Sequence, residues 1–343
     1  MLTTSFVPDL LAAARALIPA IEAVRDRLDV DCRLPDELIR AMAEAGLFRM
    51  AVPACLGGLE VDPFTLSDVI EELSYADGAV GWVVAIGAGT ASVASAGLPE
   101  EAAREIYGHD PLVVTCGNLA VPGGKAAPVP GGYRVTGRWP FGSGSLHSTW
   151  LAGHCAVMDG DGPRMKEDGT PEARIMMFPA ADVEILDTWH VAGLRGTGSH
   201  DYAVADVFVP EERTIPRGGS PRHPGSLYAT RFYLLAHASH ALGIARRAID
   251  AFSDLAGAKQ QPRSEKLLRE RAAVQEDVAR AEALVGTARA YLMEVTRDLW
   301  ETVTAGRELT DIQRARARLA MTTGVRQSAE AVDLMYEAGG GTS

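Results

Sequence analysis

The chain is 343 residues long, enough for two or three domains with sizeable cores. Lys and Arg total 33 against 45 Asp and Glu, and the resulting net charge of −12, without a basic run, argues against nucleic acid or an anionic membrane surface as a partner. Cys32, Cys55, Cys116 and Cys155 are scattered without CxxC spacing, so neither a metal site nor a disulfide framework is expected. With no basic leader and no apolar run approaching a membrane span, the expectation is a cytoplasmic protein in a reducing setting.

The first hundred or so residues read as helices. Leu10 to Leu28 carries apolar residues at helical spacing, and Leu34-Pro35-Asp36-Glu37 starts a second helix that Gly46 ends. Phe48 to Gly58 reads as a loop. Thr65 to Tyr75 forms a third helix with Leu66, Val69, Ile70 and Leu73 on one face. Ala79 to Ala96, small and apolar all round about Trp82, forms a fourth that must be packed on most sides, and a short helix follows from Leu98 to Tyr107.

From Pro111 the pattern changes to strands at 112–116, from Tyr133 until Gly142 breaks the pattern, and at 149–157, 174–178, 183–186 and 202–209. Gly117 to Lys125 and the polar stretch Asp159 to Ala173 read as loops. After the Pro- and Gly-rich stretch Ile215 to Gly225, long helices are expected over Ser226–Ala256, Ser264–Val303 and Thr310–Ala338. Val274, Val278, Ala281, Val285, Ala288, Leu292, Val295 and Leu299 alternate spacings of four and three, the seam of a bundle. The domains predicted are an N-terminal helical domain (1–110), a central β-domain (111–215) and a C-terminal helical bundle (226–343). Three bundle helices followed by a glycine run lead to the expectation of a fourth, missing or supplied by a second subunit.

Tyr133 to Trp150 is the candidate site. It reads as two strands joined by the turn Gly142-Ser143-Gly144-Ser145, whose small residues leave backbone N–H groups and hydroxyls unshielded, with Trp139 and Phe141 as aromatic walls. Such a turn suits a flat, polar-edged ligand, or is simply a β-hairpin corner. His147 follows the turn, and His237 and His240 share a helix without carboxylates nearby, which gives no reason to expect a metal.

In this order and spacing, several segments resemble the acyl-CoA dehydrogenase superfamily over essentially the whole chain. They are Leu34-Pro35 with Ala45-Gly-Leu-Phe48, Val52-Pro53 with Gly57-Gly58, Gly137-Arg-Trp-Pro-Phe-Gly-Ser143, Gly193-Leu-Arg-Gly-Thr-Gly-Ser199, Val207-Phe-Val-Pro210 and Leu242-Gly243. The resemblance leans towards the branch of flavin-dependent monooxygenases served by separate flavin reductases. Phe141-Gly-Ser-Gly144 stands in place of the Trp-Ile-Thr-Asn type of turn usual in the dehydrogenases, Trp189-His190 precedes Gly193, and the dehydrogenases' Arg-x-Thr-Phe-Gly segment is replaced by Pro262-Arg263-Ser264.

The resemblance implies an α+β fold with an N-terminal helical domain, a central β-barrel or sandwich and a C-terminal bundle, assembled as a homotetramer. It implies FMN or FAD as cofactor, reduced by a flavin reductase partner, and a small organic substrate, aromatic or polyketide-like, oxygenated through a C4a-hydroperoxyflavin. Ser143 would donate a hydrogen bond to flavin N5 as the catalytic residue, with Phe141 and Gly142 beside it in the cofactor turn. Asn118 would meet the pyrimidine side, Trp189 would pack near the isoalloxazine, and Arg263 would approach the phosphate. Two departures from the branch bear on the substrate half of the site: Ala79–Ala96 contains no histidine, and the family's last helix is absent. The alternatives are an FAD-dependent acyl-CoA dehydrogenase, which desaturates an acyl thioester, and a truncated non-catalytic family member.

Overall fold

The structure, a computed structural model, describes residues 9–260 and 266–340. The helices are α1 (Leu10–Asp31), α2 (Asp36–Glu44), α3 (Pro63–Ala76), α4 (Gly78–Gly97), α5 (Glu100–Tyr107), α6 (Phe232–Ala258), α7 (Ala272–Thr304) and α8 (Asp311–Gly339). The strands are β1 (Thr115–Asn118), β2 (Gly124–Val129), β3 (Gly132–Trp139), β4 (Trp150–Asp159), β5 (Gly162–Pro163), β6 (Ala173–Pro179), β7 (Glu184–Leu186), β8 (Asp201–Pro210) and β9 (Thr214–Pro216). The expected order of helices, strands and helices is thus present.

The chain divides into two compact units. One holds residues up to Asp62 together with Trp82–Thr230, and the other holds Pro63–Gly81 with the chain from Arg231 onward. The helix α3 therefore belongs with the C-terminal helices and not with its sequence neighbours.

In the first unit the strands form one mixed sheet in the order β7-β8-β3-β2-β4-β6-β9, with β1 and β5 also paired to β4. Here the sequence expectation needs correcting. The strands flanking the Gly-Ser turn do not form a hairpin, because β2, a strand the sequence reading did not anticipate and whose first two residues it placed in a loop, lies between them, antiparallel to β3 and parallel to β4. The parallel pairing is set by residues distant in sequence and leaves no local turn signal.

Trp139 is also not a wall of the site. Its side chain is fully buried, stacked on Tyr202 at 5.3 Å and tilted against Phe178 at 5.5 Å, and its indole donates to the His154 carbonyl at 2.8 Å. Gly123, Gly124, Gly137 and Gly153 form the slot for this indole. A Cβ on any of them would come within 2.5–2.8 Å of Trp139 ring atoms. The pleat thus turns Trp139 inward with Tyr133 and Val135.

A second buried cluster in this unit joins α4 and α5 to β4 and β6 through Ala91, Ala94, Ile106, Tyr107, Ala152 and Met177. By length and composition α4, at 20 residues, is apolar enough to cross a membrane, contrary to the expectation of no such run, but most of it is buried inside the protein. It is a core helix whose small residues permit close packing on several sides.

In the second unit α3 lies along α6, α8 packs on both α6 and α7, and α7 buries Val274, Ala281, Val285, Ala288, Leu292, Val295 and Leu299 as the seam predicts. Gly243 allows α3 and α6 to touch, since a Cβ there would stand 2.3 Å from the Glu71 carbonyl. Arg289 of α7 bridges to Asp68 and Glu71 of α3 at 2.8 and 2.9 Å. The helix expected from Ser226 begins at Phe232 after a separate 3-10 turn at Ser226–Tyr228, and α7 starts at Ala272, later than Ser264.

Candidate active site

The candidate site lies in the first unit, where the β3–β4 connection meets the segment from Thr188 to His200. Two backbone bonds join these loops: Gly142 N donates to His200 O at 2.8 Å and Gly144 N to Thr197 O at 3.0 Å. Ser143 N donates to Phe141 O and Ser145 N to Gly142 O, both at 2.9 Å. The N–H groups expected to be exposed are therefore all spent within the protein, and Gly142 to Ser145 is buried. Sequence pattern could not foresee this, because the carbonyls that accept from Gly142 and Gly144 lie more than fifty residues away.

What the corner presents outward is aromatic. Phe141 is 63% exposed, holds a left-handed backbone (φ +61°), and meets the half-buried Trp189 edge to face at 6.2 Å. Leu194, exposed on the facing loop, is also left-handed (φ +54°). Non-glycine residues in this region store of order 1–3 kcal/mol each, and two of the five such residues among those described fall in this one corner. The strain turns the Phe141 ring outward and the Leu194 carbonyl inward.

Beneath these rings lies a chain of buried hydroxyls. Trp82 Nε1 donates to Ser143 Oγ at 3.0 Å, Ser143 Oγ is 2.7 Å from Ser199 Oγ, and Ser199 Oγ is 2.6 Å from Thr197 Oγ1. Thr197 Oγ1 donates to the Leu194 carbonyl at 2.8 Å, which also accepts the Trp189 indole N–H at 3.2 Å. His200 Nδ1 accepts from the backbone N–H of Thr188 and Trp189 at 3.2 and 3.3 Å and so secures the Trp189 segment.

Of the expected cofactor residues, Asn118, Phe141, Gly142, Ser143 and Trp189 come together in this corner, whereas Arg263 lies outside the described residues. Asn118 Nδ2 donates to Pro140 O at 2.9 Å and its Oδ1 accepts from Ala120 and Val121 N–H, so the side chain ties the end of β1 to the site loop. Its backbone N–H donates to Tyr202 Oη at 2.7 Å. One amide proton of Nδ2 remains for a ligand. Trp82, Thr197, Ser199 and His200 were not singled out as site residues. Trp82 carried a signal as the lone aromatic of a small-residue helix, and Thr197 and Ser199 lay within a quoted motif.

Burial governs the three histidines that the sequence singled out, His147, His237 and His240. His147 has a buried side chain 3.4 Å from Asp36, and burial, helped by Arg33 and opposed by Asp36, pushes its pKa down to about 4. In the second unit Ser74 Oγ spends its proton on Ile70 O, so His240 Nδ1, 2.8 Å away, must donate to it; burial also lowers His240 to about 4. Burial lowers His237 likewise.

An aromatic pair, Phe141 exposed and Trp189 half-buried, beside a hydrogen-bonded chain of buried hydroxyls fits a flat heteroaromatic group with a polar edge. A flavin meets that description. The chain belongs to the acyl-CoA dehydrogenase family: the family's N-terminal domain model matches residues 10–106 and its C-terminal domain model matches residues 235–343. Within it the chain is similar to flavin-dependent monooxygenases. It is 36% identical over 335 residues to indole-3-acetate monooxygenase of Pseudomonas putida, covering 93% of this chain and 82% of that one. It is 29% identical over 357 residues to the oxygenase subunit HsaA, a flavin-dependent monooxygenase of Mycobacterium tuberculosis, covering 97% and 85%. Among solved structures it is similar to XiaF from Streptomyces sp. in complex with FADH2 and glycerol, with a TM-score of 0.89 at 27% identity over 98% of this chain and 86% of that one. The chain is thus a flavin-dependent oxidoreductase of the monooxygenase type.

Proposed function

We propose that this chain is the oxygenase component of a two-component system: a cytoplasmic homotetramer that receives reduced FMN or FAD from a separate reductase and hydroxylates a small aromatic substrate. The observation that carries the reading is the Phe141–Trp189 pair held over the Trp82-Ser143-Ser199-Thr197 hydroxyl chain. The aromatic substrate class is supported by the monooxygenases to which the chain is similar, one of them named for indole-3-acetate.

When bound, the reduced flavin supplies two electrons and activates O₂, so that O₂, ArH and reduced flavin give ArOH, water and oxidised flavin. The protein's own residues prepare the place for this. Phe141 and Trp189 offer apolar surface to the ring and exclude water beside it. Ser143 would face the ring's central nitrogen and help keep its proton in place. Asn118 would offer its remaining amide proton to the carbonyl edge, and Arg263, outside the described residues, would carry the charge for the phosphate. The acidic composition is consistent with a small neutral or aromatic substrate and with no nucleic-acid partner.

The test supplies the purified protein with a flavin reductase, NADH and ¹⁸O₂, and offers a panel of indoles and phenols. The expected product carries one ¹⁸O atom. Consumption of O₂ to H₂O₂ alone across the panel, together with anaerobic flavin reduction by an acyl thioester, would replace this reading with the dehydrogenase.

A further inference from the structure

His200 is held by the sheet and in turn holds the loop that leaves it. The residue stands directly before β8, whose Asp201 accepts from Arg138 of β3 at 2.8 Å, and its own N–H donates to Gly198 O at 2.7 Å. Its carbonyl accepts from Gly142 N at 2.8 Å and so holds the turn that carries Phe141. Its ring, on a residue only 8% exposed, accepts through Nδ1 from the N–H groups of Thr188 and Trp189 at 3.2 and 3.3 Å. A carboxylate at Asp187, 3.5 Å from the same nitrogen, has no proton to give it. One residue therefore ties both aromatic walls, Phe141 through its backbone and Trp189 through its side chain. Past the end of β7 at Leu186 the chain runs as a strap over the surface to Leu194. A further tie of this strap, Thr188 Oγ1 with the N–H and carboxylate of Asp201 at 2.8 and 3.1 Å, lies at the surface.

We propose that His200 is a positioning residue for the oxygenation: the acceptor at Nδ1 fixes Trp189 against Phe141, and the closed pair of rings keeps water from the flavin edge. This rests on the flavin reading above. The ring nitrogen is spent on the strap, so His200 acts through Trp189 and takes no part in the chemistry itself. Where water has access, reduced flavin and O₂ give oxidised flavin and H₂O₂ in place of hydroxylated product, so the position of the strap decides where the oxygen goes. Thr188 is exposed and Trp189 half-buried, so water can satisfy their N–H groups when the ring acceptor is removed. Losing the acceptor thus costs the strap its position and leaves the fold intact.

The test compares His200→Asn, whose side-chain oxygen can stand near the Nδ1 position, with His200→Leu, of similar size and without an acceptor. Amide hydrogen exchange, read residue by residue in the flavin-free protein, reports the strap directly. In the wild type the Thr188 and Trp189 amides should exchange at least about tenfold slower than unprotected amides, a readout that needs no variant to fold. His200→Leu should remove that protection and His200→Asn should retain it. Reduced FMN or FAD, bound anaerobically and mixed with O₂ in a stopped flow, should return to oxidised flavin about tenfold faster in His200→Leu than in the wild type, and within about twofold of it in His200→Asn. Unprotected Thr188 and Trp189 amides in the wild type, equal losses in the two variants, or an unchanged reoxidation rate in a His200→Leu protein whose strap has opened would overturn the assignment while leaving the flavin reading intact. Failure of the wild type to bind either reduced flavin, whatever the amides show, would overturn that reading and the role of His200 with it.

Discussion

Replacing Tyr202 by phenylalanine removes one oxygen and leaves the ring that stacks on Trp139, so no cavity of consequence forms. The hydroxyl is the acceptor for Asn118 N–H at 2.7 Å and the donor to the Ala152 carbonyl at 2.5 Å, and Tyr202 is fully buried. Burial holds the phenol far above its usual pKa, so the neutral hydroxyl makes both bonds at any working pH. Deleting it strands an N–H at the end of β1 and takes a donor from β4. At about 1–3 kcal/mol for a buried unpaired donor, and less for a carbonyl with a second lone pair, the loss comes to about 2–4 kcal/mol. For a cooperative unit of this size that lowers Tm by about 4–16 °C. Differential scanning calorimetry against the wild type measures it. Because Asn118 anchors the site loop through Pro140, reduced-flavin affinity should weaken in the same variant. A Tyr202→Phe protein within about 0.5 kcal/mol of the wild type would refute the reasoning that this hydroxyl is what satisfies the two strands.

Arg49→Leu should cost about 3–5 kcal/mol in urea titration, because the buried guanidinium caps the carbonyls of Leu56, Gly57, Tyr107 and Asp110 at 2.6–3.2 Å and a leucine leaves them unpaired. His147 and His240, held near 4 in the folded protein, take up protons in the unfolded chain first. Stability is therefore full above pH 6.5 and falls as pH drops from 6.5 towards 4, by about 2 kcal/mol per histidine between pH 7.5 and 5. His147→Gln should flatten that slope for the first unit in melts taken across the range. Phe141→Gly relieves a left-handed phenylalanine and exposes no new core, so stability should stay within about 1 kcal/mol of the wild type while reduced-flavin affinity drops about tenfold in anaerobic titration.

The order of elements was legible because its signals are local. The seam of α7 and the alternation of Tyr133 and Val135 with polar residues repeat within a few residues, and Gly46 closes α2 by taking a positive φ. The site was legible only as a location. Phe141, Ser143 and Trp189 were marked by composition and by likeness to a family, but their surroundings depend on pairings across fifty or more residues. Trp139 belongs to the core because glycines on β2, β3 and β4 converge on it, and no stretch of sequence displays that slot. The N–H groups of Gly142 and Gly144 are taken by a loop beginning near residue 188 and those of Ser143 and Ser145 by the turn itself, so small residues there permit close packing and do not expose N–H groups.

The central claim is that this corner receives reduced flavin and governs its reaction with oxygen. Anaerobic titration with reduced FMN and reduced FAD, followed by rapid mixing with O₂, tests it most directly. Saturable binding of one reduced flavin per chain, with reoxidation clearly slower than that of the free flavin, is the expected result and names the flavin used. Failure of both reduced flavins to bind, or reoxidation at the rate of free flavin, would contradict it.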